Sequence, residues 1–143
     1  MALKLSGFDD LFDDLNNLGN VGKKIGRKAV QEGSKIVLEQ QKKDAPKNTS
    51  ESAKNLKVTK VKTYKSGNTW ANIGIDGSNF NEVKGLYFNH YGFELWKNGE
   101  RVEPHVGWMD ESLKKVEDKA SEKMMQIVSS ELDEILRWYR WMN

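Results

Sequence analysis

The chain has 143 residues, 23 basic and 21 acidic side chains and a formal charge of +2, so it is long enough for one domain and its bulk charge names no partner. A hydrophobic share of 37% is low for a compact globule and predicts that part of the chain gains burial in an assembly. The absence of cysteine excludes disulfides, thiol catalysis and thiolate-held metals, in keeping with a reducing cytosol, and no apolar run approaches the roughly 20 residues of a membrane span.

The segment FDDLFDDLNNL at 8–18 sets Phe8, Leu11, Phe12, Leu15 and Leu18 at helical spacing. Ser6 can cap it, Asp9 and Asp10 favour the positive end of its dipole, and Gly19 can end it. The same stretch turns acidic early and holds no uninterrupted apolar core, unlike a signal peptide. A longer helix is predicted from Val21, with Val21, Ile25, Ala29, Gly33, Ile36, Val37 and Gln40 near one stripe. Ala29 and Gly33 make that stripe thin enough for another backbone to approach. Gly22, Gly26 and Gly33 each weaken the isolated helix by about 1 kcal/mol relative to alanine, which implies tertiary or subunit support. Pro46 stops it, because the residue before a proline avoids helical angles. Residues 1–19 carry a local charge of −3 and residues 20–43 one of +5. That opposition suits head-to-tail contacts between copies, and its plainer reading is two solvated helix faces.

LKVTKVKTY at 56–64 is rich in β-branched residues, and TWANIGI at 69–75 alternates, with Ala71, Ile73 and Ile75 on one side. With a turn at 66–68 they read as an antiparallel hairpin. DGSN at 76–79 is a further turn. Residues 86–93 fit a short strand or one to two helical turns. Asn98-Gly99, between ELWK and ERVE, predicts a two-residue hairpin turn with both central residues at positive φ. From Trp108 a last helix runs to about Trp138, with Leu113, Val116, Ala120, Met124, Ile127, Val128, Leu132 and Ile135 on one stripe. The layout is α+β: N-terminal helices and a long C-terminal helix packed on a small antiparallel sheet, with a protruding β-hairpin.

Chemistry is thinly represented. His90 and Glu94 would share a helical face, and His105 could add a third ligand for a metal-dependent hydrolase, but there is no HExxH pattern. The simpler reading packs or hydrogen-bonds His90 among Tyr87, Phe88 and Tyr91. No GxGxxG or GxxxxGK[ST] phrase supports nucleotide binding. The residues nominate no catalytic, cofactor-binding or metal site and no cofactor. Lys23, Lys24, Arg27, Lys28 and Lys35 could line a phosphate-facing surface, which makes a nucleic-acid-binding module using helix 20–43 an alternative function. The helix lacks the interleaved aromatics of single-strand readers, and a solvated basic face is the plainer reading. The closing LRWYRWMN sets Trp138, Tyr139 and Trp141 beside two arginines, residue types favoured at interface hot spots and also able to dock on the chain's own core.

In their order these motifs resemble the small neck or tail-completion proteins of long-tailed bacteriophages, the minor tail component family. Gly7-Phe8-Asp9-Asp10-Leu11 matches the family's opening phrase. Ala29, Gly33, Ile36 and Val37 lead to Lys42-Lys43-Asp44-Ala45-Pro46, as in its basic helix. Tyr87, Tyr91, Glu94, Pro104 and Trp108 fall near its aromatic segment, proline turn and final helix. The family's Thr-Gly-x-Leu phrase is replaced by Thr49-Ser50-Glu51 with Leu56 later, and the Asn98-Gly99 hairpin looks inserted. The resemblance covers roughly residues 5–137 and implies one domain over 1–143, with a hairpin arm at 94–105 and an aromatic tail at 138–143. It implies a non-enzymatic virion protein at the head–tail joint, present in host cytoplasm during assembly. Its partners would be copies of itself in a ring (a hexamer rather than a dodecamer), the head-closure or connector protein, and the tail terminator or tail tube protein. Genomic DNA would pass non-specifically, with no membrane involved. On that reading Phe93, Trp96, Arg101, Trp138, Tyr139 and Trp141 are subunit or partner contacts, and Lys23, Lys24, Arg27 and Lys28 face DNA in the lumen.

Overall fold

The computed structural model describes residues 2–3, 17–46, 53–65, 68–95, 98–103 and 105–142, with the side chains of all of these except 2, 3, 139 and 142. The helix expected at 8–18 lies outside the described residues, apart from Asn17 and Leu18. Gly19, at φ 70, leads into helix α1, Asn20–Asp44. Lys42 and Lys43 sit in its last turn, at the negative end of the dipole. The Ala45 N–H closes the helix on the Gln41 carbonyl at 2.9 Å, one residue before Pro46. The buried stripe of α1 consists of two adjacent i, i+4 rows, Gly22–Gly26–Val30–Ser34 and Ile25–Ala29–Gly33–Val37–Gln41. It is rotated from the predicted one: Val21 is half exposed, and Gln41 rather than Gln40 is buried. The reason is steric. Packing selects the face with the least side-chain bulk, and glycine and serine at 22, 26 and 34 offer it.

That face receives helix α3, Trp108–Met142, of the same chain. The two helices run antiparallel, as Lys28 bonded to Glu131, Gly33 against Met124 and Asp44 bonded to Ser112 show. At Gly33 a Cβ would lie 2.8 Å from both Cγ and Sδ of Met124 and 3.6 Å from the Ala120 carbonyl oxygen. The thin stripe is thus filled by tertiary packing. Ala120, Met124 and Val128 are buried on α3, and Leu113, Val116, Ile127, Leu132 and Ile135 pack around them, as the period predicts. At the other end Asp44 accepts hydrogen bonds from Ser112 Oγ (2.8 Å), Gln40 Nε2 (3.0 Å) and Lys115 Nζ (3.2 Å). Burial pushes the Asp44 pKa up, but these donors together hold it below the ordinary carboxylate range.

Strands β1 (Ala2–Leu3), β2 (Lys57–Thr63) and β3 (Thr69–Gly74) form an antiparallel sheet in the order β1-β3-β2. The expected β2–β3 hairpin has Val61 opposite Ala71 and Thr63 opposite Thr69, with a register shift between Val58 and Lys60. Ala71, Ile73 and Ile75 are buried, Ala71 and Ile73 beneath α1 and α3. Of the segment 86–93, open between strand and helix, residues 86–91 belong to helix α2, Phe80–Tyr91, which starts six residues earlier and stops at Gly92 (φ 76), and Phe93 opens a strand. Strands β4 (Phe93–Glu94) and β5 (Arg101–Val102) pair antiparallel behind it. The two-residue turn predicted at Asn98-Gly99 is not formed, since Gly99 has positive φ and Asn98 does not. Leu95 and Glu100 pair instead (N–H to O, 2.8 Å), and the Gly99 N–H returns to the Leu95 carbonyl at 2.7 Å, giving a longer loop.

A second cluster, with Leu56, Val83, Leu86 and Trp108 at its centre, packs α2 onto the start of α3. Gly74 (φ 103) sits where the layers meet. A Cβ there would lie 2.8 Å from Gln41 Oε1 and 2.6 Å from Met109 Cε, so only glycine fits. The fold is α+β, helices on a small antiparallel sheet with an added hairpin.

Candidate functional site

His90 is 5% exposed, and its environment defines its role. Its Nδ1 accepts the Met109 N–H at 3.3 Å, and its carbonyl accepts the Gly107 N–H at 3.0 Å. Met109 is the second residue of α3, so the imidazole satisfies one of the orphan donors of that helix end. Burial pushes the His90 pKa below the ordinary imidazole range, with Asp110 opposing it. The acceptor role and the burial both favour a neutral ring. Trp108 Nε1 adds a bond to the Leu86 carbonyl at 3.2 Å, so α2 holds the first turn of α3 through two side chains. The metal reading is not assembled. Helix α2 ends at Tyr91, which places Glu94 on exposed β4, and His105 is exposed. Among the described residues no three His, Cys, Asp or Glu side chains gather as a metal site.

The basic residues divide into two sets. Lys23, Lys24 and Arg27 line a groove of about 400 Å³ with Asn20, and the far wall is Thr63, Tyr64 and Lys65 from the end of β2. Lys28 forms an ion pair with Glu131, whose hydrogen bond raises the lysine pKa. Tyr64 is 49% exposed; its ring lies 5.6 Å from Lys62 Nζ and 6.4 Å from the Trp70 ring. The helix thus has an aromatic beside its cations, supplied from across the fold. One signal for this was legible in the sequence: residues 53–75 contain Lys54, Lys57, Lys60, Lys62 and Lys65 and no acid.

Two further surfaces carry exposed aromatic residues. On α2 the Tyr87 ring meets those of Phe80, Phe88 and Tyr91, and Phe93 meets Phe88 edge-on with ring centres at 6.2 Å. Tyr91 and Phe88 are largely exposed. Phe80, Tyr87 and Tyr91 border a cleft of about 320 Å³ with Asp76 and Met109. Arg101 is engaged within the chain: Nη2 donates to the Tyr91 carbonyl at 2.6 Å and Nε to Glu103 at 2.9 Å, fastening β5 to the end of α2. Trp96 lies outside the described residues.

The second surface is the end of α3. The residues expected as a separate tail at 138–143 continue the helix to Met142, since no glycine or proline interrupts it. Trp138 is 59% and Trp141 89% exposed, and Leu136 is exposed beside them. Trp138, Ile135, Leu18, Val21 and Ile25 line an apolar groove of about 530 Å³. Tyr139 lies in the helix, and its side chain is outside the described set. No helix among the described residues is long and apolar enough to cross a membrane.

A comparison of the chain with protein-family models, with curated proteins and with solved structures finds no match.

Proposed function

We propose that this protein is a structural, non-enzymatic subunit of a long-tailed bacteriophage virion, a neck or tail-completion protein. It forms a homo-oligomeric ring, six copies rather than twelve, between the head-side connector and the tail terminator or tube, and the genome passes through the lumen. Support comes from the order of sequence motifs between Gly7 and Trp108 and from the helix–hairpin–helix layout. The observation that carries the reading is the pair of aromatic surfaces left outside a finished core. Phe88 and Tyr91 on α2, and Trp138 and Trp141 on α3, are all at least 42% exposed. Tryptophan and tyrosine at such positions are residues that anchor interfaces between proteins.

The test has two arms. The mass of the purified protein, alone and with virion neck proteins, is expected to show closed oligomers. Deleting residues 138–143 is expected to leave a folded subunit, with unchanged helical circular dichroism, that does not complete virions. A strictly monomeric protein that never enters particles, or normal infectious particles from the deletion, overturns the reading.

A further inference from the structure

We propose that the groove between the first turns of α1 and the end of β2 binds the phosphate backbone of duplex DNA. The inference deepens the reading above, in which DNA passes the protein, by assigning the contact to named residues. It also stands without the ring, because it needs one copy only. Four cations line it, Lys23, Lys24 and Arg27 from α1 and Lys65 just beyond β2, and a fifth, Lys62 on β2, lies beside it with Nζ 5.6 Å from the Tyr64 ring centre. Among the described residues no acidic side chain lines the groove and none of the five cations forms an ion pair. A cluster of this size repels itself, and a polyanion lowers the cost.

The neighbouring groups favour phosphate over a carboxylate-rich peptide. Asn20, Thr63 and Tyr64 add amide and hydroxyl donors, the set that meets phosphate oxygens beside lysine and arginine. Helix α1 has no acid in its first turn, and Asn20, its first residue, lines the groove, so the positive end of the helix dipole lies beside it. The positive surface also continues along β2, where Lys57, Lys60 and Lys62 are exposed on a strand of 7 residues. That strand spans about 20 Å, the length of about six phosphates of one DNA strand. Lys62 covers the Tyr64 ring and Trp70 flanks it, so the tyrosine is placed to donate its hydroxyl rather than to stack on a base. The contact therefore carries no sequence preference.

The experiment titrates the full chain against a labelled duplex of about 30 base pairs by fluorescence anisotropy, at salt from about 50 to 200 mM. With five phosphate contacts the slope of log K against log salt is about −4.5, a loss of about 500-fold over that range. Replacing Lys24 and Lys65 together (Lys24→Gln, Lys65→Gln) is expected to reduce the slope to about −2.7 and the loss to about 40-fold. The pair Lys114→Gln, Lys119→Gln, exposed on the first half of α3, is expected to leave both unchanged. Circular dichroism of each variant checks folding. Absence of binding at about 50 mM salt overturns the proposal. So does equal weakening by the α3 pair, or poly-glutamate competing as well as DNA at equal charge, which would assign the groove to an acidic protein. A monomer that binds DNA in this way would keep the groove and discard the ring, so the two readings fail separately.

Discussion

Adding one methyl group at Gly33 tests whether the α1–α3 seam is packed without slack. Alanine in place of glycine in a helix is worth about 1 kcal/mol on propensity alone. In this seam the new Cβ would lie 2.8 Å from Cγ and Sδ of Met124. Met124 is 2% exposed and Ala120 fully buried, so the thioether must shift within a buried seam to admit the methyl group. Overpacking of a filled core costs about 1–3 kcal/mol. The balance for Gly33→Ala is a loss of about 1 kcal/mol, read as a fall of about 0.5 M in the urea midpoint or about 3 °C in Tm. Met124→Ala alone leaves a cavity and costs about 2–5 kcal/mol. In the double variant the methyl at 33 occupies part of that cavity, so the combined loss is expected to fall short of the sum by about 1–2 kcal/mol. Urea unfolding followed by circular dichroism and tryptophan fluorescence measures all four proteins. If Gly33→Ala is stabilising by its full propensity and its effect adds to that of Met124→Ala, the two helices do not meet at this distance and the packing argument is wrong.

Two further predictions concern buried polar groups. The neutral His90 has a folded pKa lowered by burial from an ordinary value of 6.5, so it binds fewer protons folded than unfolded. Its contribution is full above pH 6.5 and is lost as pH falls from there through the folded pKa, a decline that unfolding at pH 5 and pH 7.5 should reveal. His90→Asn, which keeps an acceptor without titrating, is expected to flatten that part of the profile; an unchanged slope would assign the decline to another group. Asn79, 3% exposed, donates through Nδ2 to the Asn55 (2.9 Å) and Gly74 (2.8 Å) carbonyls and accepts the Asp76 N–H at 2.9 Å. Asn79→Asp replaces the nitrogen that donates both bonds with a carboxylate oxygen facing two carbonyl oxygens and should cost about 3 kcal/mol or more at neutral pH. A near-neutral effect in urea unfolding would mean that the 74–79 turn does not depend on these bonds.

The elements themselves were written locally. The periods of 20–44 and 108–138, the β-branched run at 57–63 and the breaks at Gly19 and Pro46 decide helix, strand and boundary through backbone sterics and side-chain spacing, which neighbours in sequence suffice to fix. The same local pattern left 86–93 undecided, because a short aromatic run satisfies both periods, and it overcommitted at Asn98-Gly99, where the strands' pairing lengthened the loop. What the thin face of α1 would meet was not local information. Small residues announce close approach without naming the approaching backbone, and the answer, Met124, lies 91 positions along the chain from Gly33. His90 likewise shows a ring to the sequence and a helix cap only to the fold, since its partner is the N–H of Met109. The basic groove needed both sources: charge counts mark Lys23 to Arg27 and Lys57 to Lys65 as separate clusters. Only the packing of α1 on the sheet sets them facing, because Coulomb interactions act through space and not along the chain.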